Sequence, residues 1–255
     1  MAQMKTAILD GDILAYRAAW WAEREGVDLL EDRLVNDVAE WSKHHEKARI
    51  AFSCSRSDNF RRDYFPLYKS NRSGKAEPEH LEYAKEILSN SYDIIKRPRI
   101  EADDIMGMMT SGGFGTAVSI DKDLKNVPGW HYNPDKDDEP VLVTEEEADK
   151  LLYSQWLSGD VTDNIFGAWK WGPKKAEKLL DKLPRDEWSD AILDVYEKNP
   201  RPPHKKIKGV CDMDVEEYAL SQAICVRILR IGEYNKGEID IWNPIAECRR
   251  IGSIE

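Results

Sequence analysis

The sequence predicts an α/β protein, with a mostly parallel central sheet flanked by helices and a helical lobe after it. Three observations carry this. Short apolar runs (TAILDGD and GTAVSIDKD, which end in acids, and ARIAFS) alternate with amphipathic stretches, as in successive βα units. After about Val143 the pattern becomes mostly helical. A chain of 255 residues with 41% hydrophobic content can build one large core or a core plus a smaller lobe.

In order, TAILDGD reads as a buried strand and DILAYRAAWWAERE as the helix after it. A helical segment around Val35–His45 leads to the second strand, Ala48–Ser53. PEHLEYAKEILSN is an amphipathic helix with Pro78 near its start. EADDIMGMMTS opens a helix with acids in its first turn, where the helix dipole favours them. GTAVSIDKD is the third strand. Four helices follow: TEEEADKLLYSQWLSGD, GPKKAEKLLDKL, RDEWSDAILDVYEKN and DVEEYALSQAICVRILRI. KNPRPPHKK is an exposed connection, and GEIDIWNPIAECRRIGSIE holds a late strand. The expected division is an α/β core over 1–145 and a helical region over 146–255.

Composition narrows the class. No apolar run approaches the roughly 18–20 residues needed to cross a bilayer, and the N-terminus lacks a signal-peptide layout. Cys54, Cys211, Cys225 and Cys248 have no close-paired spacing, so reduced cysteines in a cytoplasmic protein are expected. A net charge of −11 argues against a polyanionic partner, but the charges are segregated. Arg56–Arg99 holds ten Lys/Arg against seven Asp/Glu, Lys170–Lys182 five against two, and Arg201–Lys208 four against none.

Ligands of open α/β sheets bind beyond the carboxyl ends of the strands. Asp10 and Asp12 follow the first strand, Asp121 and Asp123 the third, and Glu101, Asp103 and Asp104 open a helix expected at the same edge. Asp160 and Asp163 follow a further apolar segment. Each pair alone is the ordinary equipment of turns and helix caps. Together they repel: two like charges at 4 Å cost about 4 kcal/mol at an effective dielectric of 20. Cations relieve that repulsion, and an all-oxygen donor set without His or Cys suits Mg²⁺ or Mn²⁺. Two such ions form the clamp used for in-line displacement at phosphorus, so a metal-dependent phosphodiesterase is expected.

ILDGD, FRRDYFPLYKSNR, EADD, SIDKDLKNVPGWHYNP and SGDVTDN…GPKKAEKLL occur in the order seen in the 5′–3′ exonucleases and flap endonucleases. The chain resembles the bacteriophage branch of that family over roughly Ile8–Arg230, including YALSQAICVRIL. The resemblance implies a helical arch and a helix–three-turn–helix element over about 156–182. It implies a first metal on Asp10, Glu101, Asp103 and Asp121, and a second on Asp123, Asp160 and Asp163. Asp12 and Asp104 would orient ligands or metal-bound water. It further implies hydrolysis near 5′ ends of DNA, removal of RNA primers and flaps during phage replication, and action as a monomer in the host cytoplasm. Asp10, Asp103 and Asp121 would be catalytic together with Lys69 and Arg72, whose family counterparts reach the scissile phosphate.

Lys69 and Arg72 lie three apart and would share a face of a helix; a solvated face is the bland alternative. Tyr68 has two readings, stacking on a terminal base or core packing. Arg61 and Arg62 are candidates for the DNA backbone. Gly172, Lys174 and Lys175, at the N-terminus of the helix opened by Pro173, would grip a duplex phosphate. Trp169 and Trp171 are candidates for DNA contact.

The sequence departs from the family twice. After the second strand, Ser53 or Cys54 stands where an Asp ligand of the first metal is expected, with Asp58 or Asp63 as substitutes. In the hairpin turn, Lys170-Trp171-Gly172 replaces a Gly-hydrophobic-Gly triplet whose carbonyls hold K⁺, and the Lys170 ammonium would stand in for that ion. Ser53 favours one alternative, a catalytically weakened branched-DNA-binding protein. A single-strand ribonuclease on a similar acidic core is the other.

Overall fold

The computed structural model describes residues 5–199 and 212–246. In chain order the elements are β1 (Thr6–Asp10), α1 (Gly11–Glu25), α2 (Leu30–Trp41), β2 (Lys47–Phe52), α3 (Arg61–Tyr64), α4 (Leu81–Ser91), β3 (Asp93–Lys96), α5 (Ala102–Ser111), β4 (Thr116–Val118), β5 (Gly129–Tyr132) and β6 (Val141–Val143). They continue with α6 (Glu145–Ser158), α7 (Pro173–Leu180), α8 (Trp188–Lys198), α9 (Val215–Val226), β7 (Tyr234–Asn235) and β8 (Glu238–Ile239). The chain divides into two compact units, and their boundaries interleave. The first comprises Met1–Asn59, Lys75–Ala148 and Ile228–Ile239; the second comprises Phe60–Gly74, Asp149–Arg227 and Asp240–Glu255. A single cut after residue 145 therefore misses two segments that cross between the units.

The first unit is the α/β core. Its six-stranded sheet runs β3-β2-β1-β4-β5-β6, parallel except for the antiparallel pair β5–β6. β1 is central and fully apolar through Ala7, Ile8 and Leu9, as a strand covered on both faces must be. α1 turns Leu14, Ala15, Ala18, Ala19 and Ala22 inward. α2 adds Leu30, Leu34, Val38 and Trp41 at helical spacing. Strands β3, β5 and β6 go beyond the three expected from the apolar runs, and the late strand resolves into the two-residue hairpin strands β7 and β8.

The second unit packs Leu152, Trp156, Leu180, Trp188, Ile192, Tyr196 and Tyr218 into an aromatic-rich core. Two of its buried aromatic side chains have their polar groups satisfied: Trp156 donates to the Ala219 carbonyl at 2.8 Å and Tyr196 to the Trp156 carbonyl at 2.6 Å. Between α6 and α7 the chain reverses through Gly159 (φ +72°), where a Cβ would lie 2.4 Å from the Ile165 carbonyl oxygen. The segment expected to form a helical arch holds only α3 and a 3₁₀ turn at Ser70–Arg72. Pro66, Gly74 and Pro78 limit longer helices there. The basic stretch Arg201–Lys208, Cys211 and Cys248 lie outside the described residues. No described helix is long and apolar enough to cross a membrane.

Candidate active site

In the first unit, the parallel strands bring their C-terminal acids to one edge. Asp10 ends β1 and caps α1. It is 3% exposed and accepts the Ile13 N–H at 3.0 Å and the Ser119 hydroxyl at 2.9 Å. Its pKa is pushed up to about 7, first by burial and then by the charges of Asp12 and Asp121, against the lowering effect of those hydrogen bonds. Asp121 accepts the Asp123 N–H at 2.9 Å and donates its own N–H to the Ser119 hydroxyl at 3.0 Å. Asp123 is half-buried in the 3₁₀ turn at Lys122–Asn126.

Ser53 and α5 connect a second group of acids. Asp12 accepts the Ser53 N–H at 3.0 Å, and the Ser53 hydroxyl accepts the Ala102 N–H at 3.0 Å. Ser53 thus fills the place of the expected Asp ligand with a cap on α5. Cys54 donates its backbone N–H to the Ile100 carbonyl at 2.9 Å. Asp58 accepts the Arg99 N–H at 2.9 Å, which ties that carboxylate into the loop. Glu101 and Asp104 form a capping box at the start of α5. Asp104 is fully buried and accepts the N–H groups of Glu101 (3.0 Å) and Leu229 (3.1 Å), so its carboxylate is spent on backbone. Asp103, between them, is half-buried.

In the second unit, Asp160 accepts the Thr162 N–H at 2.7 Å. Asp163 is ion-paired with Arg72 and, at 3.4 Å, with Lys69. Lys69 and Arg72 do not share an α-helical face. Lys69 is left-handed (φ 52°) and precedes the 3₁₀ turn, so the two cations meet by converging on one carboxylate. Asn71 donates to the Val161 and Thr162 carbonyls at 3.1 and 3.2 Å, and Asn164 to the Leu67 carbonyl at 2.8 Å. These two asparagines stitch YKSNR to DVTDN, a role that nothing in the sequence pattern assigns them.

Two candidate DNA contacts are core residues. Arg61 is 2% exposed, donates to the Arg227 carbonyl at 2.5 Å, and lies 4.6 Å and 5.7 Å from the Phe60 and Tyr68 ring centres. It is a buried packing residue and presents no surface to a phosphate. Tyr68 is 3% exposed, which resolves its two readings towards packing. The turn before α7 keeps its candidates outside. Lys170, Gly172, Lys174 and Lys175 are exposed, and the Lys175 ammonium sits 3.8 Å from the centre of the Trp171 ring. Lys170 adopts φ 62°, so the position keeps a glycine-like backbone despite its side chain. The Gly172 carbonyl already accepts the N–H groups of Lys175 (3.0 Å) and Ala176 (3.1 Å).

Among the described residues no three His, Cys, Asp or Glu side chains form a ready-made metal cage. The donor chemistry of the first unit nevertheless fits Mg²⁺ or Mn²⁺. Burial and the charges of Asp12 and Asp121 make ionisation of Asp10 costly, a cost that a bound cation offsets, and Mg²⁺ needs only one or two carboxylates alongside water and substrate phosphate.

A mostly parallel sheet with acids crowded at its strand ends suits metal-dependent nuclease chemistry, and the proteins it is similar to are nucleases. Over nearly its whole length the chain is similar to two phage exonucleases. It is 28% identical to the exonuclease of Escherichia phage T7 and 26% identical to the exodeoxyribonuclease of Enterobacteria phage T3, covering 93% of the chain and 93% and 92% of those proteins. No protein-family model matches. The fold matches bacteriophage T5 5′-exonuclease with zinc bound (TM-score 0.59, 18% identity, 87% of this chain and 88% of that one). It also matches the T5 flap endonuclease in a pseudo-enzyme–product complex with DNA and metal ions (TM-score 0.61, 17% identity, the same coverage).

Proposed function

We propose that the chain is a divalent-metal-dependent 5′–3′ exonuclease and flap endonuclease acting near 5′ ends of DNA and of RNA primers annealed to it, in phage replication. The observation that carries this reading is Asp10, a buried carboxylate crowded by Asp12 and Asp121 at the end of the central strand. The full-length similarity to the T7 and T3 enzymes supports it.

Asp10, Glu101, Asp103 and Asp121, all in the first unit, would hold one Mg²⁺ or Mn²⁺. Bound ions of this kind polarise the phosphodiester and lower the pKa of attacking water. Asp10 is held in one orientation by its two donors, and Asp104 fixes the start of α5 beneath Asp103. Lys69 and Arg72 neutralise Asp163 and would exchange that carboxylate for substrate phosphate, stabilising its developing charge. Lys174 and Lys175 would grip the duplex beyond the cut, with K⁺ or the Lys170 ammonium completing the turn. Asp12 serves as an anchor for Ser53.

A 5′-labelled flapped duplex incubated with Mg²⁺, Mn²⁺ or EDTA tests the reading. Release of short 5′ products only with metal supports it. Binding without cutting supports the second reading, a weakened branched-DNA-binding protein, which the loss of a carboxylate at Ser53 favours. Cleavage of RNA alone overturns both.

A further inference from the structure

We infer that Ser119 is a positioning residue that sets the spacing of Asp10 and Asp121 for a shared divalent cation; this rests on the metal-nuclease reading above. β1 and β4 are adjacent parallel strands with Leu9 opposite Val118. The next residue on each is Asp10 and Ser119, so the register places the hydroxyl beside the carboxylate. Both residues are buried, at 3% and 5% exposure.

The polarity of the contact is fixed. The Asp121 N–H can only donate, so the Ser119 oxygen accepts it at 3.0 Å and the hydroxyl proton goes to Asp10 Oδ2 at 2.9 Å. Asp10 Oδ1 meanwhile takes the Ile13 N–H at 3.0 Å. One donor on each oxygen locks the plane of the carboxylate and leaves each oxygen a further lone pair for a cation. The same hydroxyl fixes the backbone from which the Asp121 side chain departs. A hydroxyl is required there. Alanine would leave Asp10 one donor short and free Asp121 from its tether.

The test is Mn²⁺ binding to the intact protein without DNA, followed by loss of the free-ion electron paramagnetic resonance signal, with flap cleavage titrated against Mn²⁺ in parallel. Ser119→Ala is expected to bind Mn²⁺ about 10- to 100-fold more weakly, the usual effect of losing a partner of a metal ligand. The metal concentration for half-maximal rate should rise with it, while the KM for DNA holds. Ser119→Thr, which retains the hydroxyl, is expected to restore binding. Equal binding by wild type and a folded Ser119→Ala overturns the role of Ser119 and leaves the nuclease reading standing. Should the alanine variant not fold, a folded Ser119→Thr that binds tenfold more weakly than wild type overturns it instead. A wild-type protein that takes up no Mn²⁺ overturns the metal reading and this inference together.

Discussion

Replacing Gly11 by alanine sets two effects of opposite sign against each other. Gly11 lies between Asp10 and Asp12 at the first position of α1. Helix propensity alone favours alanine by up to about 1 kcal/mol, less in a first turn. Packing opposes it. A Cβ on Gly11 would lie 2.5 Å from Ile50 Cγ2, 2.7 Å from Phe52 Cε1 and 2.8 Å from the Ala51 carbonyl oxygen. The two side chains belong to the buried face of β2, and the carbonyl belongs to a strand that cannot retreat without breaking its ladder. Overpacking of this kind costs about 1–3 kcal/mol, and three approaches under 3.0 Å put it in the upper half. The net effect is a destabilisation of about 1–2 kcal/mol, which lowers Tm by roughly 2–8 °C in a protein of this size. Because α1 must shift, Asp10 and Asp12 shift with it, and Mn²⁺ affinity should fall as well. Gly172→Ala, where a Cβ meets nothing within 4 Å, is the control and should change stability by under about 1 kcal/mol. Thermal unfolding monitored by circular dichroism reads both. A Gly11→Ala protein melting at or above wild type would refute the claim that packing against β2 dictates glycine in this motif.

Two further outcomes follow from buried groups. Arg61→Ala should lose about 3 kcal/mol by chemical denaturation through its cavity and the unpaired Arg227 carbonyl. In the same experiment set, Lys174→Ala/Lys175→Ala should leave stability near wild type yet reduce the salt slope of duplex binding, by about one for each phosphate no longer neutralised. His131 is 4% exposed, its Nε2 lies 2.8 Å from the Val127 carbonyl, and burial pushes its pKa down to about 4. The folded state therefore binds fewer protons than the unfolded one below the ordinary value of 6.5. Its stability is intact above that value and erodes towards pH 4, by about 2 kcal/mol at pH 5. Denaturation curves at pH 7 and pH 5 should diverge more for wild type than for His131→Gln; parallel shifts would count against it.

The βα order was legible because the runs that hold β1, β2 and β4 are apolar, and those of β1 and β4 end in acids. Four-residue DIIK and GWHY and three-residue VLV were not, since so few residues give no usable period. Among site residues, the acids announced themselves by repetition. Arg61 misled because a cation reads as surface, and the carbonyl that receives it comes from Arg227, 166 residues later. Ser119 escaped for the opposite reason. Serine is common, and only strand register shows which carboxylate it faces. The signal that could have found Ser119 was its position one step past the third apolar strand, matching Asp10 one step past the first.

Asp104 gives the α/β core a temporal constraint during synthesis. It reaches its buried state only with the Leu229 N–H in place. Around it the Ile231 N–H meets the Ser111 hydroxyl at 2.9 Å, and Arg230 meets the Asn126 carbonyl at 2.9 Å. All of these partners belong to a segment that returns to the core after the helical unit has been made. The 79 intervening residues, 149–227, occupy a ribosome for about 4–16 s. Over that interval the sheet can assemble while α5, which carries Glu101 and Asp103, still lacks its last anchor. On the ribosome, then, the acid-bearing edge is completed late, after the rest of the core has had time to form.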